Sequence, residues 1–101
     1  MHTDTHVISE KAVISVTGRF DFSANREFRS AYGDALRSSD VSEIEVDLAK
    51  VDYLDSSALG MLLMLREQAG TVHKSVALSN CHGTVKRVLD IANFAKLFQI
   101  R

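Results

Sequence analysis

Residues 51–70 read VDYLDSSALGMLLMLREQAG, and the reading of this stretch decides the fold. Three oxygen-bearing side chains, Asp55, Ser56 and Ser57, stand back to back before an almost continuous apolar run from Ala58 to Leu65. One such side chain is enough to accept a hydrogen bond from the first turn and start a helix. No Glu or Gln follows three residues after any of the three, so a capping box does not account for the run. The pattern predicts a helix from about Ser57 to Ala69, stopped by Gly70 in the C′ role. It also leaves a side chain at the helix start with nothing to do in helix initiation.

At ~100° per residue, Ala58, Met61, Leu62, Leu65 and Ala69 gather on one side, which should lie on a sheet. Gly60, Leu63, Met64 and Glu67 gather on the other. Two large apolar residues there exceed what a one-sided surface helix requires. Either another helix or the C-terminal tail covers them, or they form a partner surface. In a partner surface Met64 would make an adaptable contact, and Gly60 would let a foreign backbone come close. The first-turn N–H groups have no intrahelical partners, and the helix dipole adds partial positive charge. That position suits a capping oxygen and equally suits a phosphate. Ser56 or Ser57 as a simple cap is the plain alternative.

Outward from this helix, strands and helices alternate. Val7–Glu10 and Ala12–Thr17 read as two short strands joined by a turn at Glu10-Lys11, because Val13, Ile14 and Val16 are β-branched. Gly18 is expected to break the second strand. Ser23 is the expected N-cap of a helix from about Ala24, with Phe28, Ala31, Tyr32, Ala35 and Leu36 spaced for a buried face. Ser42–Leu48 alternates polar and apolar, with Ile44, Val46 and Leu48 facing one way. Ser75–Ser79 is the next strand. Val85, Val88, Leu89 and Ala92 mark another helix, and Phe94–Ile100 a short turn and edge strand. The order β-β-α-β-α-β-α implies an α/β fold: a mixed central sheet of about four to five strands with helices packed against it.

At 101 residues, with 46% apolar and 25% charged residues, the chain is expected to form one soluble domain over 1–101. Twelve basic against thirteen acidic residues leave a formal charge of −1, which speaks against a nucleic-acid binder. The single cysteine, Cys81, has no internal partner, which fits a reducing cytosol. The start Met1-His2-Thr3-Asp4-Thr5-His6 does not resemble a secretory signal. The longest run of large apolar residues, Met61–Leu65, is far short of the ~20 residues a membrane span needs. Cytoplasmic localisation without membrane insertion is the expectation.

The order of elements and the motif together resemble a STAS domain, in particular the small single-domain anti-sigma factor antagonists of bacterial partner-switching systems. The residues that carry the resemblance are Val46-Asp47-Leu48 followed by Val51 through Gly60. Gly18-Arg19-Phe20-Asp21, Val85–Leu89 and Ala95–Ile100 add to it over nearly the whole chain. Family members show a strand, a short connection, then Asp-Ser-Ser/Thr-Gly-Leu-Gly opening the second helix. The resemblance implies that Ser56 is phosphorylated by an anti-sigma factor that is also a serine kinase. It implies that the unphosphorylated form binds that kinase and frees its sigma factor, and that a metal-dependent serine phosphatase restores the free form. Ser57 matches the second hydroxyl position, and Ala58 departs from the usual glycine. Asp55 either orients the acceptor or caps the helix. Asp21 is either part of the same surface or a turn residue. Arg19 is either a rim charge of a partner interface or a solvated one. The free protein is expected to be a monomer without cofactor or metal.

Catalysis is not expected. Ser56 lacks the glycines of a nucleophile elbow, and no histidine among His2, His6, His73 and His82 is placed to serve it. Cys81-His82 is one adjacent pair without a second, which is not a metal site, and no phosphate-binding glycine loop is present. The alternative function is a STAS small subunit docked on a transporter complex, such as a lipid-transporting ABC system, with the same helix as the dock.

Overall fold

The computed structural model describes residues 2–101. Met1, which opens the segment read as lacking a secretory signal, lies outside them. Five strands, β1 (His2–Ile8), β2 (Lys11–Phe20), β3 (Glu43–Leu54), β4 (Ser75–Ser79) and β5 (Gln99–Ile100), form one sheet in the order β1-β2-β3-β4-β5. The first pair is antiparallel and the remaining pairs are parallel. Three helices connect them: α1 (Asn25–Arg37), α2 (Ser56–Thr71) and α3 (Gly83–Ile91). Single 3-10 turns occur at Phe22–Ala24 and Phe94–Lys96.

Parallel strands laid down in sequential order by right-handed crossovers put their helices on the same face of the sheet. The alternation of β2, β3 and β4 follows from that. Ile14, Val16, Ile44, Val46, Leu48 and Leu78 point toward the helices and are fully buried. The intervening positions, facing the other way, carry Lys11, Ser15, Glu43, Glu45 and Asp47. There Arg101 donates to both Glu43 and Glu45 at 2.7 Å, and Lys11 to Glu45 at 3.1 Å. In the helix layer, Phe28 packs edge-on between Phe20 and Tyr32, with ring centroids 4.9 and 5.3 Å apart.

Four local expectations are corrected. The hairpin turn is Ser9-Glu10, not Glu10-Lys11, because both residues adopt left-handed φ (48° and 66°), the geometry of a tight two-residue connection. Gly18 does not end β2: its φ of +99° absorbs an irregularity, and the strand stays paired with β3 as far as Phe20. Ser23 is not a helix cap. Asp21 accepts from the Ser23 amide at 3.0 Å and caps the 3-10 turn that leads into α1. Gly70 is not the stop of α2, which runs to Thr71. The stop is His73 (φ 59°), whose amide bonds Gly70 O at 3.3 Å while the Lys74 amide bonds Ala69 O at 2.9 Å. These are the two bonds of a Schellman motif.

β3 is longer than its alternating part. Between Asp47 and Tyr53 it gains two residues over β2, where Ser15 pairs Asp47, Thr17 pairs Lys50, and Arg19 pairs Tyr53. The bulges change the inward period from two to three, so Leu48, Val51 and Leu54 are all buried while Ala49, Lys50, Asp52 and Tyr53 are not. This carries the strand to the start of α2. At the free edge, β1 is held by α1 as well as by β2. Glu27 Oε1 accepts from the Thr3 amide at 3.0 Å.

Candidate functional site

The last paired residues of β2 and β3 are Phe20 and Leu54. The two chains therefore leave the sheet side by side, and Asp21 and Asp55 stand at neighbouring exits. Asp55 is the N-cap of α2: its backbone is extended, and its Oδ1 accepts from the Ala58 amide at 3.1 Å. Its carbonyl accepts the first helical bond, from the Leu59 amide, also at 3.1 Å. With capping done by Asp55, neither serine is needed for it. Ser56 is exposed, and its hydroxyl makes no hydrogen bond among the described residues. Ser57 is half-buried. The amides of both serines head the helix, where no intrahelical acceptor exists. The tip thus presents a free hydroxyl beside unpaired N–H groups.

Arg19 is not simply solvated. Its guanidinium lies over the Tyr53 ring, 3.9 Å from the centroid, and its Nε is 3.6 Å from Asp21 Oδ2. The bulged register places Arg19 opposite Tyr53, which makes this stacking possible. Asp21 is held below the usual carboxylate range, first by the Ser23 hydroxyl and then by the Ser23 amide and Arg19, against some desolvation. Arg19, Asp21 and Tyr53 thus form one linked cluster at the end of β2 and β3, where the chain passes through Asp55 into α2.

The outward residues of α2 are exposed, but the structure divides them. Gly60 and Met64 border a groove of about 350 Å³ against α1, and Ser57 stands at its tip end. Glu67 lies on the other flank, in a depression shared with Lys74 and Leu97. Leu63 and Met64 are 40% and 48% exposed, so neither another helix nor the tail covers them. Ala58 is fully buried and belongs to the inward face. It reaches the tip only through its amide.

Sequence reasoning missed Phe22 and Tyr53. Phe22 is 74% exposed at the rim of the groove, two residues from the fully buried Phe20. The signal for it was present: an aromatic residue directly after a capping Asp, where no strand continues to bury it. Tyr53 was assigned to a connection rather than to a bulged strand end. His82 Nε2 lies 3.0 Å from Ala49 O, and the half-buried Cys81 thiol is pushed up by burial. Among the described residues no group of three His, Cys, Asp or Glu side chains is placed to hold a metal ion. No described helix is long and apolar enough to cross a membrane.

Against known proteins, residues 5–99 match the family model described as "Mlab, STAS domain". A STAS-domain containing protein of Pseudomonas aeruginosa (strain UCBPP-PA14) is 44% identical over 91 residues, covering 90% of this chain and 88% of that protein. The crystal structure of an anti-sigma factor antagonist from Mycobacterium paratuberculosis superposes with a TM-score of 0.86 at 21% identity, covering 98% of this chain and 83% of the other. The phosphorylated form of the Bacillus cell fate determinant SpoIIAA superposes with a TM-score of 0.75, also at 21% identity, covering 99% of this chain and 91% of that one. The five-stranded mixed sheet with three helices is the fold these structures share.

Proposed function

The chain belongs to the STAS family, and from that premise we propose that it is an anti-sigma factor antagonist switched by phosphorylation of Ser56. Unphosphorylated, it binds an anti-sigma factor that is also a serine kinase and releases the sigma factor held there. The kinase transfers phosphate to the Ser56 hydroxyl, binding ceases, and a metal-dependent serine phosphatase returns the free form. The free protein acts as a monomeric cytoplasmic binding module rather than an enzyme. The observation that carries this reading is the division of labour at the α2 tip: Asp55 caps the helix, and the exposed Ser56 hydroxyl is left without a partner.

The physics of the switch is local. Phosphoserine adds ~−1.5 to −2 charges. At the N-terminus of a 16-residue helix that charge meets a positive dipole end and the amides of Ser56 and Ser57, so the domain need not refold. In a complex the same group must shed water against the partner, and each ~1.4 kcal/mol of that penalty lowers affinity tenfold. Asp21, Arg19, Ser57, Gly60, Leu63, Met64 and Glu67 make up the surface the partner covers, with Ala58 behind it.

The test is mass spectrometry for phosphate on Ser56 in protein from its native cells, paired with partner binding by two variants. Ser56→Ala should bind like the unmodified protein, and Ser56→Glu should bind at least tenfold more weakly. Equal binding by both variants would overturn the switch. A second reading, a STAS subunit docked on a transporter complex, has one observation in its favour: the matching family model is described as Mlab rather than as an antagonist. Binding insensitive to Ser56, together with co-purification of an ATPase and a permease, would favour it.

A further inference from the structure

Between α1 and α2 the surface dips into two adjoining depressions, one bordered by Phe22, Met61 and Met64, the other by Arg26, Arg37 and Gln68. Asn25, Arg29 and Tyr32 line both, so the two form one elongated groove that starts at Ser57. We propose that this groove receives an acidic segment of the partner protein carrying one large apolar side chain. The proposal rests on the antagonist reading and names what the anti-sigma partner presents to this side of α2.

Three features select that chemistry. First, one end is apolar and unobstructed. Phe22 is 74% and Met64 48% exposed, Met61 forms the floor, and a Cβ added at Gly60 would meet nothing within 4 Å. An aromatic or leucine side chain fits there, against adaptable thioethers. Second, the other end is cationic. No carboxylate lines either depression, although the chain as a whole has a formal charge of −1. Arg26 and Arg29 make no ion pair among the described residues, whereas Arg37 is engaged by Asp34. Two unpaired guanidinium groups on successive turns of α1 suit carboxylates spaced along a peptide. Third, Tyr32 lines both depressions where they meet, and its buried hydroxyl has no hydrogen-bond partner among the described residues. A small side-chain shift that uncovers it would let a partner carbonyl or carboxylate satisfy it.

The groove is open along its length, so it would not enclose a small molecule as a ligand pocket does. A chain segment held by an anchor residue and flanking charges matches it better. A segment seated from Ser57 toward Arg37 lays its apolar anchor at the end nearest the α2 tip. Phosphate on Ser56 would place a hydrated charge beside that apolar contact, which must lose water to form.

The experiment uses the ¹⁵N-labelled protein and three synthetic 14-residue peptides: glutamate-rich with a central leucine anchor, the same with the anchor replaced by serine, and the same with glutamates replaced by lysines. The first should shift the amide signals of Arg29, Tyr32, Gly60 and Met64 at low salt, and the other two should not. Arg26→Glu with Arg29→Glu should weaken that binding at least tenfold, and Met64→Asp should do the same, with the dispersed spectrum of the folded protein retained. Absence of shifts with the first peptide, or equal binding of the lysine peptide, overturns the groove assignment. If those shifts are absent while Ser56→Glu still abolishes binding of the intact partner, the groove is wrong and the switch stands. If the peptide binds as described and Ser56→Glu leaves partner binding unchanged, the groove stands and the switch is wrong.

Discussion

Leu62 and Leu63 are adjacent on α2 and chemically identical, yet Leu62 is fully buried and Leu63 is 40% exposed. The contrast continues along the helix. Ala58, Met61, Leu62, Leu65 and Ala69 lie against the sheet, while Gly60, Met64 and Glu67 face outward. A helix this apolar all round would ordinarily be buried all round. Here its outer side is left open, with no described element over Leu63 and Met64. The inner face belongs to the stability of the domain, and the outer face is the surface assigned to the proposed partner. Substitutions on the two sides should separate these roles cleanly.

The largest effect is expected on the inner side. Leu62→Ala or Leu65→Ala removes a fully buried side chain from the core and should destabilise by ~2–5 kcal/mol, read by urea denaturation. Leu63→Ala and Met64→Ala should change the same midpoint by no more than ~0.5 kcal/mol. If the outer pair proved as costly as the inner, the contrast between the faces would be lost. Next comes the tip. Asp55→Ala deletes the cap bond to the Ala58 amide and should cost ~1 kcal/mol. Ser56→Ala, which removes no cap, should be neutral to within ~0.5 kcal/mol. The reverse order would mean that the serine, not the aspartate, holds the helix end.

A smaller effect concerns acid, and it lies on the polar face of the sheet, away from α2. Glu43 is held below its ordinary value chiefly by hydrogen bonds from Arg101. Burial pushes Glu45 up, but Lys11 and Arg101 outweigh it and the net displacement is also downward. A carboxylate depressed in the folded state stabilises it above the unfolded value of about 4.5, and that contribution fades as pH falls through the folded value. Arg101→Ala should lower stability at pH 7 and flatten the decline below pH 4.5. Thermal unfolding of both proteins from pH 7 to pH 3 would show the two curves converging in acid. Parallel curves would remove the arginine from the account.

Wherever the residue pattern was strictly periodic, the sequence was readable. Ile44, Val46 and Leu48 alternate and form a strand, and the inward face of α2 follows from its ~100° turn per residue. What escaped was backbone behaviour that side-chain period does not encode. The bulges after Asp47 convert a strand to a period of three, so Val51–Leu54 resembled a connection. The αL residues that close the hairpin and α2 are Ser9, Glu10 and His73 rather than glycines. At the candidate site the tip residues were legible because three oxygens in succession exceed the needs of one cap. The groove was not. It depends on how α1 and α2 lie beside each other, which brings Arg29 and Tyr32 next to Gly60 and Met64 across about thirty intervening positions.

The bond from Thr3 to Glu27 reaches beyond the stability of either residue. A border strand with free peptide groups invites another molecule to prolong the sheet, and β1 is such a border. By claiming the Thr3 amide, a single carboxylate on α1 interrupts the ladder that a foreign strand would need. The helix that lines the arginine groove therefore also acts as a guard rail, hindering strand addition at this point of the β1 edge.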